Sequence, residues 1–392
     1  MRFTSRGLAA IVAALIPIGA LGAAGAGTAL AAPGAPAFSA RTILSGHNLS
    51  HTFTAKGSQH QEHLSSPDDI TALGGRLFVA FQNGVGPQGE ASTSGNTDST
   101  VVEFTPGGHV LRQWDLHGKC DGLTADPQAG AVIATVNEDL NSSLYTITPG
   151  ARPSGQVQHY TYNETLPHHG GTDAISVYRG KILISASAPG TTGAAAPNAA
   201  YPAVYQVALC RCDHVATVHP LFSDEAAATV ANSSATTGAG AGKVVHLALT
   251  DPDSNEVVPA SAARFGGDFL LTSQGDQQQI FARHAVSGHP QLSVLNLSQP
   301  VDDTAWPTGG HGRIFAASNA TDTVVMVTGP FRRGTEFVAV TPCDAGNAPA
   351  TCPAPPAFPA NYLGTVNPWT GHVSAVTVHG AALQPQGMLF VP

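Results

Sequence analysis

The chain has 392 residues, 26 acidic and 17 basic, for a formal net charge of −9, and only 11% of its residues are charged. Phosphate neutralisation needs clustered Lys and Arg, so this balance argues against a nucleic-acid partner. Beyond the N-terminus no apolar run reaches the ~18 residues of a membrane span, so no membrane insertion of the mature chain is expected.

Residues 1–31 read as a secretory signal. Arg2 and Arg6 give a positive n-region, Leu8 to Leu21 an apolar core, and Ala29-Leu30-Ala31 a small-x-small cleavage site. A secreted, soluble and monomeric product is expected, with the charge moving from −9 to −11 once Arg2 and Arg6 are removed. Five cysteines in such a chain favour oxidation with one thiol left over. Cys343 and Cys352 bracket a Pro/Gly/Ala loop and are the expected disulfide. Cys210 and Cys212 leave open a strained bridge, and Cys120 reads as a small buried apolar residue.

Residues 32–40 read as a linker and 41–392 as one domain. A β-type run spans residues 49–54. Residues 67–84, PDDITALGGRLFVAFQNG, then set a pattern. An Asp turn leads into an alternating run, a Gly74-Gly75 reversal and a second strand. A primed turn needs positive φ at its centre, which glycine supplies without steric cost. The phrase returns at residues 120–137, 172–187, 259–275 and 301–318, and its opening at 385–391.

Aligned on Asp68, Asp121, Asp173, Ala260, Asp302 and Gln386, the unit starts lie 53, 52, 87, 42 and 84 residues apart. Residues 363–380 echo 102–118, so the last interval is read as hiding a unit near Asp344. The 87-residue interval is read as holding a hairpin insertion between residues 226 and 249. Short strands, Gly/Pro/Asn/Asp turns and this period predict an all-β fold, a single β-propeller of four-stranded blades. Seven blades are expected, with six as the alternative. N- and C-terminal strands should share the closing blade, with residues 49–54 among its outer strands, because closure removes an exposed edge.

The repeated Asp or Gly before a strand, followed by Gly, a basic residue and three apolar ones (Gly75-Arg76-Leu77-Phe78-Val79), resembles NHL and YncE-type propellers. It is also similar to the streptogramin B lyase and gluconolactonase groups. The likeness spans nearly all of the mature chain, and its motifs are those of the blade. It implies the fold, and that fold hosts binding, lactone hydrolysis and C–O elimination alike.

The loop into each innermost strand opens beside the central channel. Asp68, Asp121, Asp173 and Asp302 hold this place in four units, so a Ca²⁺ or other divalent-cation site is a candidate there. The same recurrence fits turn-capping aspartates. His63, His117, His168, His169 and His379 stand just upstream of units and are candidate ligand-binding residues, as is Trp306. The acidic stretch 251–256 reads as an Asx-turn connector between blades. Two functions remain open: a binding or scaffold propeller using its channel face, and a metal-assisted lyase or lactonase working at the channel mouth.

Overall fold

The structure, a computed structural model, describes residues 37–166, 171–187, 200–233, 240–343 and 360–392. The chain enters through β1 (Phe38–Ser45) and an outlying hairpin of β2 (Ser50–Ala55) and β3 (Ser58–His63). The first full blade follows as β4 (Pro67–Leu73), β5 (Arg76–Phe81), β6 (Asp98–Phe104) and β7 (Val110–His117), paired antiparallel in that order. Its first turn is the Gly-Gly reversal, with Gly74 and Gly75 at φ +58° and +76°. β5 is buried at every position but its first, because both faces of a blade pack on neighbours.

Blade two is β8 (Cys120–Asp126), β9 (Ala131–Val136), β10 (Ser143–Ile147) and β11 (Val157–Tyr162). Blade three is β12 (Ile175–Tyr178), β13 (Lys181–Ser185), β14 (Pro202–Cys210) and β15 (Val215–Ser223). A hairpin of β16 (Ala227–Val230) and β17 (Val244–His246) is the insertion expected there. Blade four follows as β18 (Pro252–Val257), β19 (Phe269–Ser273), β20 (Gln278–Arg283) and β21 (Gln291–Asn296), and β16 extends its outer edge by running parallel to β21. The unit therefore starts at Pro252 and not near Ala260. Residues 252–257 form an axial strand rather than a connector. Its polar side chains line a cavity, so the apolar alternation that marks a strand is missing.

The remaining strands are β22 (Val301–Ala305), β23 (Arg313–Ser318), β24 (Thr323–Thr328), β25 (Glu336–Val340), β26 (Tyr362–Val366), β27 (Val373–Ala375), β28 (Val378–Gly380) and β29 (Met388–Val391). β22 pairs with β25, and blade five runs β22-β25-β26-β27. The β23–β24 hairpin crosses into the next sheet, ordered β28-β1-β24-β23-β29. Residues 301–318 are thus not one hairpin. The unit expected near Asp344 is the outer half of blade five, whose axial strand lies on the far side of the crossing hairpin.

The innermost strands β4, β8, β12, β18, β22 and β29 touch in a closed cycle. Six hydrophobic clusters fill the six seams between blades. Phe78 and Val132 belong to the cluster in the first seam, and Phe315 and Val79 to that in the last. A buried side chain of this size contributes roughly 1.5–3 kcal/mol. The ring has six blades, the alternative count, and not seven.

Both termini enter one sheet, through different neighbours: β1 pairs with β24, and β29 with β23. Residues 49–54 do not belong to that blade and lie largely in the β2–β3 hairpin. The first strand begins at Phe38, inside the expected linker. Cys210 and Cys212 are bonded to each other at the β14–β15 turn, and Cys120 is free and buried. Cys343 is disulfide-bonded, while Cys352 lies outside the described residues. Among the described residues no helix is long and apolar enough to cross a membrane.

Candidate functional site at the acidic end of the channel

Each axial strand begins with the same step. Aligned on the ring, the first axial positions are Asp68, Asp121, Asp173, Asp253, Asp302 and Gln386, and all six line one cavity of about 290 Å³. Bulges produce this presentation. In β4, β8 and β22 two residues stand opposite one on the partner strand, which frees the Asp from the ladder.

The second axial positions are Asp69, Gly122, Ala174, Ser254, Asp303 and Gly387, and their task is to bind one blade to the next. Asp69 accepts from Ile70 N–H and, across the first seam, from Leu123 N–H, both at 2.6 Å. Asp303 accepts from Thr304 N–H at 2.7 Å and, across the fifth, from Met388 N–H at 2.5 Å. Thr135 Oγ1 donates to Asp173 O across the second seam. Asn255 Nδ2 donates to Ala174 O at 2.7 Å and Ser254 Oγ to Asp302 O at 2.6 Å across the third and fourth. Gly387 N–H donates to Asp68 O at 2.9 Å and completes the circle. A Cβ on Gly387 would lie 2.3 Å from Asp68 O, so only glycine fits there. Two of the tandem aspartates are therefore caps, while their neighbours face the cavity.

Charge in the cavity is one-sided. Among the described residues nine carboxyl groups line it, and Lys119 is the only basic residue. Lys119 Nζ lies 2.9 Å from Asp121 Oδ1 and also meets Glu138 Oε1. Gln82 Nε2 donates to the same Asp121 oxygen at 2.9 Å. Asp121 Oδ2 is buried with no hydrogen-bond partner. Burial, with repulsion from Glu138, pushes the Asp121 carboxyl up to about 7 despite Lys119. Burial raises Asp68 well above the usual range, helped by Asp121, and Asp173 likewise, helped by Asp253 and Asp121. Lys119 is itself partly buried, which opposes its charge, yet Asp121, Glu138 and Asp68 hold its ammonium well above the ordinary lysine value. Carboxyl oxygens do not converge tightly. The only grouping of three metal-type ligands within 4.8 Å among the described residues is Cys210, Cys212 and Asp213, and both thiols are consumed by the disulfide.

Asp68, Asp121, Asp173 and Asp302 thus share the cavity wall, but His63, His117 and His379 do not join them. His117 ends the outermost strand of blade one, pairs with Asp98 at 3.1 Å and is exposed. Its strand is the fourth from the axis, about 14 Å out at ~4.8 Å per strand. His63 sits in the outlying hairpin against Leu49 O. His379 lies on the edge strand β28. His168 and His169 fall outside the described residues. A residue just before a blade in sequence ends the previous outer strand, so closeness along the chain misleads here. Trp306 lines a different cavity, beyond the opposite end of β22.

Sequence reasoning passed over Asp253, Lys119, Glu138, Glu256 and Gln386 in this wall. Asp253 was findable, since Pro252-Asp253 matches Pro67-Asp68. Lys119 carried a signal too, as one of only four lysines, two residues from Asp121.

No protein-family model matches the chain. No curated protein matches it. Solved structures do. A periplasmic gluconolactonase from Pseudomonas aeruginosa is 13% identical, with TM-score 0.42, over 86% of this chain and 92% of that one. A protein of unknown function from Bacteroides caccae is 10% identical, with TM-score 0.44, over 85% and 90%. A chain of a nidogen/laminin complex is 6% identical, with TM-score 0.47, over 90% and 98%. The likeness is one of β-propeller fold alone.

Proposed function

We propose that this chain is an exported binding propeller whose acidic channel mouth takes a small cation. The observation that carries the reading is Asp121 Oδ2, an acceptor buried without a partner in a wall that among the described residues holds nine carboxyl groups and one lysine. Several carboxylates in one water-poor place repel, and a cation relieves that repulsion. The oxygens are too dispersed for a bare ion held by three of them. A hydrated divalent ion, keeping part of its water shell as Mg²⁺ does, suits a space of about 290 Å³.

Melting curves in millimolar Mg²⁺ or Ca²⁺ test this. A ligand at 100 times its Kd adds about 2.7 kcal/mol of stability by mass action. Asp173→Asn is expected to weaken the response while leaving the metal-free melt intact. If neither ion shifts the curve, the mouth is a structural feature of the ring and the reading fails.

One observation supports a catalytic reading, metal-assisted lyase or lactonase chemistry. A carboxyl near 7, such as Asp121, is suited to general acid–base work at neutral pH. Hydrolysis of a simple aldonolactone, lost in Asp121→Asn, would favour it over binding alone.

A further inference from the structure

The far end of the axial strands holds a second cavity of opposite character. β22 leaves the acidic mouth at Asp302 and runs about 13 Å, at ~3.3 Å per residue, before Trp306. Trp306 lines a cavity of about 300 Å³ with Ser261, Arg264, Arg332, Arg333 and Glu336. Apolar wall is supplied by Ala263, Val366 and Pro368.

Two loops build it and both are fixed. Arg332 to Thr335 is a tight turn closed by Thr335 N–H on Arg332 O at 3.1 Å. Gly334, at φ +78°, packs its backbone so closely that a Cβ would stand 2.1 Å from Ser261 O. Its N–H donates to Pro307 O at 2.8 Å, so the arginine turn is clamped to the β18–β19 loop and to the end of β22. Arg264 is held from the other side, with Nη1 donating to Ala231 O at 3.2 Å and to Pro368 O at 3.0 Å. Its guanidinium lies 4.5 Å from the Phe265 ring centroid and 5.0 Å from that of Trp369, a ring 61% exposed.

Three guanidiniums are gathered here without a counter-charge. Among the described residues the arginine ion pairs are those of Arg112 and Arg283, and none involves Arg264, Arg332 or Arg333. Glu336 does not supply one. Its Oε1 accepts from Gln279, and burial pushes its carboxyl up to about 8, so at neutral pH it is mostly uncharged. Two donors in the wall are also unspent. Trp306 Nε1 and Ser261 Oγ are buried with no hydrogen-bond partner, and Trp306 is 8% exposed. Unpaired guanidiniums, orphaned donors and apolar wall together make the complement of an anion carrying a flat apolar body. Arginine forks match carboxylate, phosphate and sulfate oxygens, and its planar face stacks on rings.

We propose that this cavity binds a small aromatic or cyclic organic anion, its charged group held by Arg332 and Arg333 and its body against Trp306 and Arg264. The site is separate from the acidic mouth and stands or falls independently of the reading given to it.

Titration calorimetry of the whole exported chain with benzoate, phenyl phosphate and phenyl sulfate, and with benzyl alcohol as the uncharged control, tests the proposal. At least one anion is expected to bind one-to-one with Kd at or below about 1 mM, and more weakly as salt rises. Benzyl alcohol should not. The three anions separate carboxylate, phosphate and sulfate as the preferred group. Replacing both exposed arginines, Arg332→Gln with Arg333→Gln, is expected to weaken binding about tenfold or more with the melt unchanged. Trp306→Phe, which keeps the ring packing and removes the donor, gives a second readout as a smaller loss of affinity. Asp121→Asn and Asp173→Asn at the other end should leave anion affinity alone. The proposal is overturned if no anion binds below about 10 mM, if benzyl alcohol binds equally well, or if the arginine variant binds like the parent. It is also overturned if the Asp variants abolish binding, which would place the anion at the mouth.

Discussion

Blade one and the closing blade fill equivalent places in the ring with opposite histories, the first as four antiparallel strands and the second as five, with β28 parallel to β1. Blade one is continuous, four strands in residues 67–117 with only the loop 82–97 longer than a turn. The closing blade is collected from residues 38–45, 313–328, 378–380 and 388–391. Its hydrophobic filling is no poorer, since Phe315 and Val324 are as fully buried as Phe78 and Val101. The difference lies in loop entropy. Contacts between β1 and β24 join residues nearly three hundred positions apart and repay their closure cost only when the ring is complete. The comparison teaches that equal burial does not mean equal order of assembly.

Truncating one buried phenylalanine in each blade should break the symmetry most visibly. Phe78→Ala and Phe315→Ala are each expected to cost about 3–5 kcal/mol at equilibrium. Stopped-flow kinetics should separate them. The Phe78 change is expected to slow folding, and the Phe315 change to speed unfolding, as for a contact made after the transition state. Equal partition in both variants would refute a late closing blade.

Backbone space offers a smaller effect. Gly387→Val forces a side chain into the carbonyl of Asp68 at the closing seam, an overpacking expected to cost about 1–3 kcal/mol or more. Gly75→Ala in blade one meets open space and only the strain of a positive φ, about 1 kcal/mol. Thermal melts that rank these two the other way round would show the closing seam to be soft.

The mildest probe is pH. Burial raises the Asp69 carboxyl to about 7 and Asp303 well above its usual range, although both accept backbone N–H groups. A carboxyl whose folded value exceeds its unfolded value of ~3.9 keeps more protons in the native state across that window. Its stabilising contribution is therefore full below about pH 4 and lost as pH rises through about 7. Measured from pH 5 to pH 8, the melting midpoint is expected to fall. Asp69→Asn and Asp303→Asn should each flatten part of the slope. Asp303→Asn should cost more at pH 5, because its partner Met388 N–H holds the last strand in place. A midpoint that climbs across this range would contradict the assignment.

The sequence disclosed most of what is local. Gly74-Gly75, the recurring Asp and the apolar second strands follow from turn stereochemistry and blade burial, and they were enough for the propeller and for four members of the axial ring. Asp253 was lost because the Gly266-Gly267 turn drew the alignment from Asp253 to Ala260, onto a loop. The count of blades was lost for a topological reason. Nothing in residues 301–318 records that β22 and β23 part company, since each reads as a competent strand and pairing partners are chosen by the rest of the ring. The histidines show a related limit. Chain proximity to a unit start is proximity to an outer strand, and only the folded sheet reveals the width of a blade in between. The second cavity was invisible for the same cause, its arginines coming from loops some seventy residues apart.

The crossing of β23 and β24 has a bearing on how such a ring can change size. A cut before Cys120 and another after Tyr162 would release one whole blade, and a copy of that segment would supply one. No window between residues 301 and 391 has this property, because β23 and β24 of the closing blade lie in the chain between β22 and β25 of blade five. The first four blades are exchangeable parts, whereas the last two and the N-terminal strand form a single interlocked clasp. Designs that add or remove repeats should therefore leave the clasp untouched and work between residues 67 and 296.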